Sequence, residues 1–142
     1  MASSAFTKPP DRFSRSELIV MQQTVPDELA HIQKLWPTFE TRVGLRGRKM
    51  YAYVDLLNNT YTACTPVREG DEPATLGLQV GRLPGGSFLR GVLVGDPPQL
   101  YERIGEAMTE LQNAADADHS RPVVEFYRRH TEIELWMPVM EL

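Results

Sequence analysis

The chain repeats itself. Displaced by 72 residues, and without a gap, its second half falls in step with its first. Thr24-Val25-Pro26 lies on Asp96-Pro97-Pro98. Ile32, Trp36, Phe39 and Val43 lie on Ile104, Met108, Leu111 and Ala115. Tyr51 and Tyr53 lie on Val123 and Glu125, and Thr65-Pro66-Val67 lies on Met137-Pro138-Val139. Identity is low, but helix starts, apolar stripes and strand ends agree. A unit this short cannot bury its own apolar face, so two of them must share one core. The repeat units span 17–67 and 89–139. The chain's 142 residues suit one ordinary domain, taken as 17–142.

Each unit reads as strand, helix, strand, strand. In the first, Glu17 to Gln23 is a short β-rich run. Thr24 is the expected N-cap, with Pro26 and Asp27 in the first turn. Apolar residues at 32, 35, 36, 39 and 43 follow helical spacing, and Gly44 and Gly47 end the helix. Pro37 interrupts this pattern and is expected to kink or split the helix. Two strands follow, Lys49 to Leu57 and Tyr61 to Val67, turning at Asn58-Asn59. The second unit has a strand from Ser87 to Val94 and a helix capped by Asp96. The helical stripe is Leu100, Ile104, Ala107, Met108, Leu111 and Ala115. Strands Val123 to Arg129 and Glu132 to Val139 close it. Alternating Leu76, Leu78 and Val80 add a strand between the units. Residues 1–16 have no periodicity and read as a mobile arm. The fold class expected from these elements is α+β, with the two helices on the same side of one sheet and the two units related by a pseudo-twofold axis.

Strand alternation points to function, because successive side chains face opposite ways. If the wholly apolar set of each strand lies under the helices, the other face collects Tyr51, Tyr53, Tyr127 and Trp136. It also collects Asp55, Glu125 and Glu134. Aromatic faces attract cations through the ring quadrupole, and a carboxylate adds charge pairing. An apolar wall with a few acids suits a lipophilic cation. The plainer reading is a set of cross-strand aromatic pairs on a half-wet sheet.

Other chemistries find little support. A single cysteine, Cys64, excludes an internal disulfide and a multi-cysteine zinc site. Cys64 aligns with Trp136 but has no base at hand and reads as a buried thiol. His31, His119 and His130 are scattered, so no metal is expected. Gly85-Gly86-Ser87 is a turn rather than a nucleophile elbow, and Gly81 to Gly86 lacks a phosphate-loop lysine. No cofactor is expected. The net charge of −4 comes with no basic stripe, which argues against direct nucleic-acid contact. No apolar run is long enough for a membrane helix, and no secretory signal is visible. These features suggest a cytoplasmic protein, with a homodimer left open.

The tail Pro122-Val123-Val124-Glu125-Phe126-Tyr127, then Glu134-Leu135-Trp136-Met137-Pro138-Val139, resembles the closing signature of GyrI-like effector-binding domains. Pro84-Gly85-Gly86-Ser87-Phe88 with Gly95 is similar to their central stretch, and the Trp36–Phe39 helix and Tyr51/Tyr53 strand fit the first half. The resemblance covers residues 17–140. It implies a duplicated βαββ fold, in which one antiparallel sheet of about eight strands carries two helices with a ligand cleft between the halves, and which takes small molecules, cationic drugs in its multidrug-binding members. It assigns Glu125 and Glu134 to the acidic positions, and Trp36, Tyr51, Tyr53, Phe88, Tyr127 and Trp136 to the cleft wall. Phe88 stands where tyrosine is common. The short N-terminal stretch leads us to expect a stand-alone form without direct transcription-factor activity. The resemblance leaves two alternatives. One is a hydrolase of strained cyclopropane-bearing cytotoxins using Glu125, and the other is a gyrase-inhibitor-type interaction module without a ligand. Binding is preferred over catalysis.

Overall fold

Runs of β-branched and aromatic residues, punctuated by Gly, Pro and Asn, set the strands of this computed structural model, which describes residues 4–140. They are β1 (Asp11–Arg15), β2 (Leu18–Pro26), β3 (Met50–Asp55), β4 (Thr60–Pro66), β5 (Gln79–Leu83), β6 (Gly86–Val94), β7 (Val123–Arg129) and β8 (Glu132–Pro138). One helix, α1 (Leu29–Val43), follows β2; α2 (Gln99–Glu102) and α3 (Ile104–Ala114) follow β6. All eight strands join one antiparallel sheet in the order β1-β6-β8-β7-β3-β4-β2-β5.

That order is symmetric. Outward from the central β3–β7 pair, the first expected unit lays down β3-β4-β2 and the second β7-β8-β6. The remaining strands are exchanged. β1 precedes the first unit but pairs with β6 of the second; β5 precedes the second but pairs with β2 of the first. The two links, at 16–17 and 84–85, meet at one corner. A Cβ on Gly85 would collide with the backbone from Arg15 to Glu17, so only glycine permits this approach. The corner draws the two sheet edges together and curls the sheet.

Apolar side chains sort into three clusters. Leu35, Phe39 and Val43 of α1 cover Met21, Ala52, Val54 and Ala63. Leu100, Ala107 and Leu111 of α2 and α3 cover Leu93, Ile133, Leu135 and Met137. The face away from the helices holds Val20, Tyr51, Cys64, Leu83, Phe88, Val124 and Trp136.

Four local expectations are corrected. The N-terminal arm is docked over its described part. β1 pairs with β6, and Phe6 is buried in the α3 cluster against Gly91, where a side chain would meet its ring. Ala5 N donates to Glu110 Oε1 (2.8 Å) and its carbonyl accepts from Arg103 Nη2 (2.6 Å). Residues 1–3 lie outside the described residues. Pro37 does not split α1: it sits on the exposed side of the helix, as does Gln33 one turn before it. The second helix is the one that breaks, at Arg103, whose guanidinium turns back to the Val94 carbonyl (3.1 Å). β2 also runs on to Pro26, through the expected cap at Thr24, and α1 begins after Glu28. The strand between the units starts at Gln79, after turns through residues 73–77.

Candidate functional site

Register decides which side chains meet. Across β3 and β7, Tyr51 is opposite Phe126, Ala52 opposite Glu125 and Tyr53 opposite Val124. Across β7 and β8, Val124 is opposite Trp136, Glu125 opposite Leu135 and Phe126 opposite Glu134. Cross-strand partners share a face. Ala52, Glu125 and Tyr127 therefore lie under the helices. Tyr51, Tyr53, Phe126, Glu134 and Trp136 lie on the other face. The single aromatic and acidic face expected from alternation is thus two faces. The premise failed in β7, whose wholly apolar pair, Val124 and Phe126, points away from the helices. The repeat hides the same slip: by face, Tyr51 matches Val124 rather than Val123.

Under the helices, Glu125 is buried at 7% exposure. The Tyr127 hydroxyl donates to Glu125 Oε1 at 2.5 Å, and the Tyr61 hydroxyl donates to the same oxygen at 3.0 Å. The two hydroxyl oxygens are 3.0 Å apart, and Trp36 Nε1 donates to the Tyr61 hydroxyl at 3.0 Å. Ala52, directly opposite Glu125, leaves room for the carboxyl. The Trp36 ring stands edge-on to Tyr127 at 5.0 Å, and Tyr101 of α2 approaches from the other side at 6.4 Å. Tyr127 and Met108 belong to both helix-side clusters, so they mark the seam between the halves. Trp36 and Met108 are matching positions of the repeat and both pack there.

Burial pushes the Glu125 carboxyl above its usual range. The two tyrosine hydroxyls favour its ionised form but do not cancel that rise, and the charge of Asp27 adds to it. Burial first, and the Glu125 charge second, push both phenols well up, so Tyr61 and Tyr127 remain donors. The arrangement is a buried carboxyl held among aromatic rings by two phenol hydroxyls.

The other face is built differently. Tyr51, Phe88 and Trp136 pack with Phe13 and Phe126; the Tyr51 and Phe126 rings stack at 4.6 Å. Glu134 accepts Trp136 Nε1 (3.0 Å) and lies near Arg128 (3.4 Å) and Arg90 (3.8 Å). The Arg15 guanidinium lies over Trp136 at 4.9 Å and over Tyr51 at 5.8 Å. This face already holds cations of its own. Tyr53 donates to Gln22 Oε1 at 2.7 Å, and Asp55 caps its own turn through Leu57 N and Asn58. Cys64 is buried and its thiol pushed up by burial, which makes it inert.

Of the side chains named from sequence, Trp36, Glu125 and Tyr127 come together under the helices; Tyr51, Tyr53, Phe88, Glu134 and Trp136 stay on the far face. Tyr61 and Tyr101 were missed. Tyr61 had a signal: it shares a stripe with Ala63, and a phenol on an apolar stripe needs a polar partner. Tyr101 had none, because the break at Arg103 sets its direction.

A family model described as "integron-associated effector binding protein" matches residues 48–139. No curated protein matches. Solved structures that share the fold include the following three. An integron cassette protein from the mobile metagenome of Vibrio cholerae has 16% identity and a TM-score of 0.76, covering 95% of this chain and 97% of that one. SAV2435 bound to tetraphenylphosphonium has 19% identity and a TM-score of 0.66, covering 94% of each chain. The EcmrR C-terminal domain has 15% identity and a TM-score of 0.60, covering 94% of this chain and 98% of that one. No helix among the described residues is long and apolar enough to cross a membrane.

Proposed function

The chain belongs to the family of integron-associated effector-binding proteins and has the GyrI-like fold, and from that premise we propose that the Glu125 cluster receives a lipophilic cation. One observation carries the reading: a buried carboxyl between aromatic rings, with its hydrogen bonds to the two phenols both on Oε1. The second oxygen is then the one that holds a proton when the site is empty and meets the cation when it is filled. Support also comes from SAV2435, a protein of this fold bound to the lipophilic cation tetraphenylphosphonium.

The sequence of events follows from charge. Without a ligand, burial favours the protonated carboxyl. An arriving cation favours the carboxylate, so the proton leaves and the charge pair forms in a dry, aromatic setting. The rings of Trp36, Tyr61 and Tyr127 supply quadrupole attraction and apolar contact. Entry requires Trp36 and Tyr101 to part at the seam between α1 and α2. A helix of four residues without a side-chain cap is the element built to yield.

The test uses tetraphenylphosphonium and neutral triphenylphosphine oxide with the wild type and Glu125→Gln. The substitution keeps shape and removes charge. It should weaken the cation at least ~10-fold, about 1.4 kcal/mol, and spare the neutral compound. Wild-type binding of the cation should also release a proton. Equal losses for both compounds would end the cation reading. Loss of strained-ring hydrolysis with cation binding intact would put a hydrolase in its place.

A further inference from the structure

On the face opposite Glu125, a cleft of about 550 Å³ opens over Phe13, Tyr51, Phe126 and Trp136. Its rim is basic: Arg15, Arg48, Lys49, Arg90, Arg128 and Arg129. Some of these charges are matched. Arg48 makes a two-point pair with Asp71 (2.6 and 2.7 Å), Arg90 pairs with Asp11 (2.7 Å), and Arg128 with Glu132 (3.5 Å) and Glu134 (3.4 Å). Glu134, the acid inside the cleft, is shared between Arg90 and Arg128. Among the described residues, Arg15, Lys49 and Arg129 have no carboxylate at ion-pair distance. Arg15 Nε is buried and has no hydrogen-bond partner. The chain's net charge is −4, yet this cleft gathers a surplus of cations.

The geometry points to this cleft as a second binding site, for a planar aromatic anion carrying a carboxylate, sulfonate or phosphate. The floor offers ring faces, and about 550 Å³ accommodates one small molecule. The Arg15 guanidinium lies over the Trp136 ring, and its N–H groups, which have no carboxylate at ion-pair distance, are available to grip an oxyanion in the fork geometry that suits arginine. Lys49 and Arg129 add charge at the mouth. A cation is disfavoured here by the same groups, so the two faces of one sheet select opposite charges. This assignment stands apart from the Glu125 reading: it uses the other face of the sheet, Tyr127 is the one side chain of the Glu125 cluster that also reaches the cleft lining, and none of the groups proposed to hold the anion belongs to that cluster.

The two tryptophans report the two faces separately. Trp36 lies under the helices and Trp136 on the cleft floor, so the indole N–H signals in a ¹⁵N-labelled protein, assigned with Trp36→Phe, distinguish the sites. Titration with 2-naphthalenesulfonate should move the Trp136 signal and leave that of Trp36 in place. Arg15→Gln should weaken this anion at least tenfold, and exposed Arg129→Gln about threefold. Neutral 2-naphthalenemethanol should bind at least tenfold more weakly than the anion. If Arg15→Gln loses its folded spectrum, Arg129→Gln and the neutral compound decide. Movement of Trp36 instead of Trp136 would overturn the proposal. So would unchanged affinity in folded variants, or equal binding of the neutral alcohol. None of these outcomes depends on whether tetraphenylphosphonium binds at Glu125.

Discussion

Glu125 is a residue whose neighbours set its chemistry. A carboxyl at this depth would cost several kcal/mol if ionised without partners, so its fold position favours the proton. Its folded pKa lies above the ordinary carboxyl value, so its contribution to stability is full below that value and is lost as pH rises through the folded pKa. Glu125→Gln removes that loss. Thermal melts between about pH 4 and 8 should show the wild type falling behind the glutamine variant as pH rises; parallel curves would contradict the burial argument. The phenols work in the other direction. Tyr127→Phe deletes a donor to the carboxylate and should cost about 1–2 kcal/mol while raising the Glu125 pKa further, as followed by carboxyl NMR titration. Arg15 illustrates the same dependence on place. In sequence it is one basic residue in a polar stretch. In the fold it is a guanidinium lying over two aromatic rings.

At the scale of elements, α1 and the N-terminal segment depart most from what local rules lead one to expect. Pro37 survives inside α1 because the side it weakens faces water, and the buried side, with Leu35, Phe39 and Val43, holds the helix to the sheet. Pro37→Ala restores a backbone hydrogen bond and should stabilise the protein by about 1–3 kcal/mol in chemical unfolding. Besides the β1–β6 pairing and the Ala5 hydrogen bonds, the N-terminal segment is anchored by one ring on one glycine. Phe6→Ala should cost about 3 kcal/mol, and Gly91→Ala should release the segment, read as new amide exchange at residues 5–15.

Exchange of the edge strands makes the molecule one cooperative body. β1 and β5 each complete the other unit, so neither unit closes its own sheet. Fragments 1–70 and 71–142 should be unfolded apart and should regain the β-sheet signal when mixed; the whole chain should unfold in one transition by every probe. The curl that follows from this exchange also separates two environments. The helices seal an acidic, aromatic seam on one side, and the other side carries a basic rim over an aromatic floor.

Much of this was legible without coordinates. Seven of the eight strands and the helix stripes rest on periodicity and spacing, which local geometry translates directly into elements, while β1 lies in a stretch without periodicity and the family was read from the resemblance of short motifs. Glu125, Tyr127 and Trp36 were also marked by type, since a carboxyl and large rings at strand and helix positions are chemically conspicuous. Which of them share a face was not legible. Alternation gives two sets per strand but not which set turns inward, and the rule that the apolar set does so fails where a buried carboxyl has donors from other strands. Tyr61 from β4 donates to that carboxyl and Trp36 from α1 donates in turn to the Tyr61 hydroxyl; they lie 64 and 89 positions from Glu125 in the chain. The strand register and the helix packing bring them into one chain of hydrogen bonds, and register is a property of the assembled sheet.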